Sequence, residues 1–227
     1  MKKDIFLVDA DDTVLDFHKS SDLAMKYAFS ALGIAWKDEY MQSYRVFNAG
    51  LWEALERKEL TREVLMENRF PWFLKTLGLN EVDGKKFNEA YLEYLSTKPL
   101  YIDGAEEFLK TLRTLGRVYI VTNGTEWIQR SRFTVANLWQ YADDTFISQV
   151  VGADKPAKAY TDFVMAHIPN FDKERAVWIG DSLSADIKSA NDAGITGIWF
   201  NPKRLPVSNK ATPDYTVESF TQIFELL

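Results

Sequence analysis

The sequence predicts an α/β protein: a doubly wound parallel sheet whose first strand is followed by an inserted α-helical block. Three observations carry that expectation. A short apolar run beginning at Ile5 reads as a buried strand and ends abruptly in acids. From about Ser20 to Pro99, apolar residues recur at helical spacing with no convincing strand. From Leu100 onward strands and helices alternate, which implies right-handed crossovers and a parallel sheet covered on both faces.

In the helical block, Ser20 or Ser21 is placed to cap a helix through Leu23, Tyr27, Ala28 and Leu32, which Gly33 ends. A second helix runs through Tyr40, Tyr44, Phe47, Leu51, Trp52 and Leu55. Thr61 caps a third, which Pro71 must kink or divide, and Asp83 begins a fourth through Phe87, Tyr91 and Leu95. Beyond Leu100 the expected order is helix Ala105 to Leu115, strand Val118 to Val121, helix Trp127 to Leu138 and strand Thr145 to Val150. It continues with helix Tyr160 to Ile168, strand Ala176 to Ile179, helix Ala185 to Asn191 and strand Ile195 to Phe200. The resulting division is a core of residues 1–16 and 101–227, with residues 17–100 as the helical insert.

Composition narrows the function. The 227 residues are 46% apolar, enough for a substantial core, and contain no cysteine, which excludes disulfides, thiolate metal sites and a cysteine nucleophile. The N-terminal MKKDIFLVD lacks a small-residue cleavage site, and no run approaches the roughly 20 apolar residues of a membrane span, so a cytoplasmic protein is expected. A net charge of -6, from 27 basic and 33 acidic residues without a basic cluster, opposes nucleic-acid binding. Neither nucleic acid nor membrane is an expected partner, and nothing marks an oligomer interface. A small phosphorylated metabolite, as substrate, would need local positive charge from a metal or a well-placed lysine.

The stretch IFLVDADDTVLDF sets three acids into four positions at a strand end. Asp9 and Asp11 stay neighbours there and repel, unless a cation lies between them or one holds a proton. Asp11 or Asp12 could instead simply cap the next helix. In parallel sheets, however, ligands bind outside the carboxyl ends of the strands. Four segments leave polar residues at that edge: Asp9 with Asp11; Thr122-Asn123-Gly124; Lys155; and Asp181. Thr122, Asn123 and Gly124 offer a hydroxyl and backbone amides to a phosphate oxygen, although they also read as a capped turn. Lys155 by itself reads as a surface lysine, and Asp181 and Asp186 as acids decorating a helix start.

Taken jointly, Asp9-x-Asp11-x-Thr13, Thr122-Asn123-Gly124, Lys155-Pro156 and Gly180-Asp181 with Asp186 resemble the four motifs of the haloacid dehalogenase superfamily. The resemblance spans the chain. It implies a Rossmann-like core with the helical block as its cap, which governs substrate specificity. It also implies that Asp9 attacks phosphorus to form an aspartyl phosphate, and that Asp11 serves as acid and then base. Lys155 would balance charge and orient Asp9, and Thr122, Asn123 and Gly124 would hold the phosphoryl group. Mg2+ would be bound by the Asp9 carboxylate, the Asp11 carbonyl and Asp181, with Asp186 behind the metal or an occasional ligand. Dehalogenases of this superfamily lack the acid that Asp11 supplies, so phosphoryl transfer is favoured over attack on carbon.

Asn48-Ala-Gly-Leu-Trp52, Leu60-Thr61, Arg69-Phe70, and Gln129 with Arg132 are similar to the pyrimidine 5'-nucleotidase group. That similarity implies a nucleoside monophosphate substrate, with Asn48 and Arg69 reading its leaving group. Gln149 departs from the glutamate common there, and Ser189-Ala190 replaces a glycine pair. Aromatic residues of the block, including Trp36, Tyr44, Trp52, Phe70 and Trp72, read as core packing before base stacking. A sugar-phosphate phosphatase or phosphomutase, and a non-catalytic regulator that binds a phosphorylated ligand, are the alternatives to be tested.

Overall fold

The computed structural model describes residues 2–207 and 211–227 and separates into two compact units. One comprises Met1–Phe17 with Pro99–Leu227, and the other His18–Lys98. No helix among the described residues is long and apolar enough to cross a membrane.

The first unit is a parallel sheet of six strands: β1 (Ile5–Val8), β2 (Arg117–Thr122), β3 (Asp144–Ile147), β4 (Ala176–Gly180), β5 (Thr196–Phe200) and β6 (Tyr215–Val217). Their order is β3-β2-β1-β4-β5-β6, so the winding reverses between β1 and β4. Alternate side chains make the sheet two-faced. Phe6, Val8, Ile120 and Ile179 join Phe108, Leu109 and Leu112 of the helix Ala105–Leu115 in one core. Ile5, Leu7, Val121 and Trp178 join Tyr160 and Val164 of the helix Lys158–His167 in the other. A doubly buried sheet explains why its strands read as continuous apolar runs.

Register places the site. Val8 lies beside Ile120 on one side and Ile179 on the other, so the chain leaves β1, β2 and β4 at neighbouring positions along one edge. Predicted strand Thr145 to Val150 ends earlier, at Ile147, because Ser148–Val151 turns into a short helix closed by Gly152 at φ 79°. The predicted helix Ala185 to Asn191 begins as a π turn, Leu183–Ile187, and continues as Lys188–Ala193. The replacement Ser189-Ala190 preserves close packing there: a Cβ placed on Gly197 would lie 3.1 Å from that of Ala190. β6 and the helix Phe220–Phe224 are further elements beyond the predicted set.

The second unit holds α1 (Phe17–Ala31, entering it at His18), α2 (Asp38–Glu56), α3 (Arg62–Thr76) and α4 (Gly84–Thr97). Its core is aromatic, with Tyr44, Phe70, Phe87 and Tyr91 in ring contact and Phe29 against Phe87 at 4.9 Å. Helix α1 begins before the two serines, so neither caps it. Both are buried within it, and Ser21 Oγ shares a hydrogen bond of 2.9 Å with the Tyr91 hydroxyl. Thr61 and Asp83 do cap α3 and α4, accepting from Val64 N and from Lys85 and Lys86 N. Pro71 stands inside α3, which remains one helix, and leaves no room for a Cβ on Gly84. Of the predicted core aromatics Tyr44 and Phe70 are buried, whereas Trp72 is 37% exposed.

Candidate active site

Asp9 is the first residue after β1, and its amide donates to the Ile179 carbonyl at 2.9 Å, tying it to the start of the β4 exit. The buried carboxylate receives Lys155 Nζ on Oδ1 at 2.6 Å and the Thr13 hydroxyl on Oδ2 at 3.2 Å. Burial pushes its carboxyl up to about 8 against the pull of Lys155, and the charges of Asp186 and Asp11 add to the rise. The Asp9 to Thr13 loop closes on itself through bonds from Val14 N and Leu15 N to the Ala10 carbonyl, with Asp12 in the left-handed region at φ 60°.

Lys155 is not a surface lysine. It is 2% exposed, and Nζ donates to Asp9 Oδ1 at 2.6 Å, Asp186 Oδ1 at 2.6 Å and the Val121 carbonyl at 2.9 Å. All three ammonium hydrogens are thereby engaged. Burial alone would lower its pKa, yet the charges of Asp186 and Asp9 hold it above the ordinary lysine range. Asn123 secures the Lys155 backbone: its Nδ2 donates to the Lys155 carbonyl at 2.9 Å and its Oδ1 accepts from the Lys155 amide at 2.8 Å. The Asn123 side chain is therefore committed to the lysine segment.

Thr122 closes β2, buried, and its Oγ1 accepts from Gln129 Nε2 at 2.9 Å. The Gly124 amide donates to Ser148 Oγ at 3.2 Å, and a Cβ there would fall 2.6 Å from Gln129 Cγ. Gln149, in place of glutamate, still offers an oxygen acceptor: its Oε1 accepts from Glu126 N at 2.7 Å. Asp11, partly exposed, accepts from Gln129 Nε2 on Oδ2 at 2.9 Å. Its Oδ1 meets Arg132 Nη1 at 2.6 Å, an ion-pair contact outside hydrogen-bond alignment.

Asp181 follows β4, half-buried, with its carboxyl held well above the ordinary range by desolvation and then by Asp9, Asp186 and Asp12. Asp186 is fully enclosed. Its Oδ1 takes Lys155 Nζ and, at 3.3 Å, Trp178 Nε1, while Oδ2 takes the Ser182 amide at 3.1 Å. A Cβ on Gly180 would come within 2.3 Å of its Cγ, so only glycine admits this carboxylate beneath the strand end. One carboxylate oxygen from each of Asp9, Asp181 and Asp186 lies within 4.8 Å of the other two. Lys155 meets two of these carboxylates, Asp9 and Asp186, and hard oxygens at that spacing fit Mg2+, which would favour their ionised forms. Both oxygens of Asp9 and both of Asp186 already have protein donors, so a cation here would share them with Lys155, Thr13 and the Ser182 amide.

In the helical unit, Asn48 is half-buried and accepts weakly from the Tyr44 hydroxyl at 3.5 Å. Arg69 is buried between the rings of Phe70 and Tyr91, at 4.7 and 5.1 Å. Its Nε and Nη2 have no hydrogen-bond partner.

The chain resembles known hydrolases throughout. A family model for haloacid dehalogenase-like hydrolases matches residues 3–194. The pyrimidine 5'-nucleotidase PynA of Streptococcus pneumoniae is 33% identical, over 97% of this chain and 93% of its own length. The pyrimidine 5'-nucleotidase YjjG of Escherichia coli is 28% identical, over 100% of this chain and 99% of its own. A magnesium-bound crystal structure of the HAD-hydrolase YfnB from Bacillus subtilis superimposes with a TM-score of 0.94 at 33% identity, covering 100% of this chain and 99% of that one.

Proposed function

Since the chain belongs to the haloacid dehalogenase-like hydrolases, we propose that it is a Mg2+-dependent phosphomonoesterase that works through Asp9 and hydrolyses 5'-nucleoside monophosphates, pyrimidine ones first. The observation that carries the chemistry is the buried Asp9 carboxylate beside Lys155, with a second carboxylate, Asp11, two residues on and oxygens of Asp181 and Asp186 within 4.8 Å of its own. Asp9 attacks phosphorus, the bond to the leaving oxygen breaks, and Asp11 passes its proton to that oxygen. Asp11, now ionised, takes a proton from the water that opens the aspartyl phosphate. Thr122 donates its hydroxyl hydrogen to a phosphoryl oxygen. Lys155, its hydrogens all engaged, acts through Asp9 by fixing the nucleophile and offsetting charge, with Asp186 holding the lysine in place. Asp9, Asp181 and the Asp11 carbonyl hold Mg2+, which when bound supplies positive charge to the phosphoryl group and relieves the repulsion among the acids.

The nucleotide substrate is supported by the two relatives named for that activity, PynA and YjjG. Asn48 and Arg69 are assigned to its leaving group, since a base edge or sugar needs directional donors and acceptors. The test is phosphate release across pyrimidine and purine monophosphates and several sugar phosphates, with Mg2+ or with chelator. Release that needs Mg2+, favours pyrimidine monophosphates and disappears in Asp9→Asn is expected. Metal-independent release, or full activity of Asp9→Asn, would refute the chemistry, and preference for sugar phosphates would refute the substrate.

A further inference from the structure

Two buried polar residues stand behind the reacting groups on one face of the helix Glu126–Val135, which we label α6 with Ala105–Leu115 as α5. Gln129 and Arg132, three residues apart, are 2% and 1% exposed. Nε2 of Gln129 has two hydrogens, and they go to Asp11 Oδ2 and Thr122 Oγ1, each at 2.9 Å. Its Oε1 accepts from Arg132 Nη1 at 2.7 Å, and because arginine only donates, this contact fixes which way the amide points. Arg132 Nη1 also meets Asp11 Oδ1 at 2.6 Å, the one ion pair of this guanidinium among the described residues. The Phe17 ring lies 5.7 Å from the guanidinium carbon.

We infer that Gln129 and Arg132 are positioning residues of the reaction, a buried clamp that sets the Asp11 carboxylate and the hydrogen-bond direction of Thr122 together. The inference rests on the roles of Asp11 and Thr122 in the proposed function. Thr122 Oγ1 accepts from the amide, so its own hydrogen is left to point at a phosphoryl oxygen. Asp11 is gripped at both oxygens from one side, which restricts the direction in which it can deliver a proton. A purely structural helix contact would be met as well by apolar side chains, without enclosing an arginine whose Nε and Nη2 have no hydrogen-bond partner. The space at Gly124 is also given over to Gln129, because any Cβ there would collide with it.

The test separates position from packing by leaving-group chemistry. kcat/KM, which reports the steps up to departure of the leaving group, is measured for uridine 5'-monophosphate, a poor leaving group that needs the acid, and for p-nitrophenyl phosphate, which scarcely does. Gln129→Leu and the near-isosteric Gln129→Glu should lose roughly 100-fold on the nucleotide and under about 10-fold on the nitrophenyl ester, in line with the contribution of a positioned acid. Arg132→Lys, which keeps the charge, should show a smaller bias in the same direction. Asp11→Asn is the control and should show the largest bias. Equal losses on both esters in the Gln129 variants, with the bias intact in Asp11→Asn, would overturn the clamp alone. Absence of bias in Asp11→Asn would overturn the acid assignment and the clamp with it.

Discussion

Asn123 shows how a side chain can serve a site through its neighbour. Its amide is spent on the two backbone groups of Lys155, at 2.9 and 2.8 Å. Asn123→Ala should therefore lower unfolding stability by about 1–3 kcal/mol, the cost of stranding partly buried backbone groups. It should reduce kcat through a displaced lysine while leaving KM nearly unchanged. Chemical denaturation and steady-state kinetics check both; a raised KM at unchanged kcat would place the side chain on the phosphate instead. Sequence pattern reached Asn123 but assigned it with its neighbours, because a Thr-Asn-Gly turn does not reveal where an amide side chain points. Lys155 was open to the same ambiguity, and only burial beside two carboxylates distinguishes it from a solvated lysine. Gln129 and Arg132 carried a weaker signal: polar residues three apart on the face of α6 that also buries Ile128 and Phe133.

At the scale of elements, local chemistry fixes boundaries where a cap is strong and loses them where tertiary packing decides. Thr61 and Asp83 were legible because each side chain satisfies amides of a helix start. Thr61→Ala should cost about 1 kcal/mol of stability from the lost cap, read from the unfolding midpoint, with kcat on p-nitrophenyl phosphate unchanged within error. No stability change would mean that the α3 terminus is held by packing alone. The serines at 20 and 21 misled as caps because small polar residues also suit close contacts within a helical unit, where Ser21 meets Tyr91. β3 ended early because Thr145 to Val150 is apolar enough for either a strand or a helix, and a short run does not fix its period. β6 and Phe220–Phe224 span three and five residues, too few for a periodic signal, and take their place from pairing with β5 and from the stacking of Phe220 on Phe108 and Phe200.

For the whole molecule, the arrangement that matters is the reversal of winding between β1 and β4, which brings Asp9 and Asp181 to adjacent strand ends although they lie far apart in sequence. The alternation of helices and strands was enough to predict such an edge, and the acids, threonine and lysine at strand exits were enough to populate it. The helical unit is built differently, around its own aromatic core, and supplies Asn48 and Arg69 as the residues proposed to choose the substrate. The central claim, that Asp9 carries the phosphoryl group between two displacements, is tested most directly by rapid acid quench of the Mg2+-loaded protein turning over a nucleoside monophosphate, followed by peptide mass analysis. A phosphoryl group on the peptide containing Asp9, formed within one turnover and absent from Asp9→Asn, is the expected result. Sustained phosphate release with no phosphoryl group on that peptide at any quench time would contradict it and point to direct attack by water.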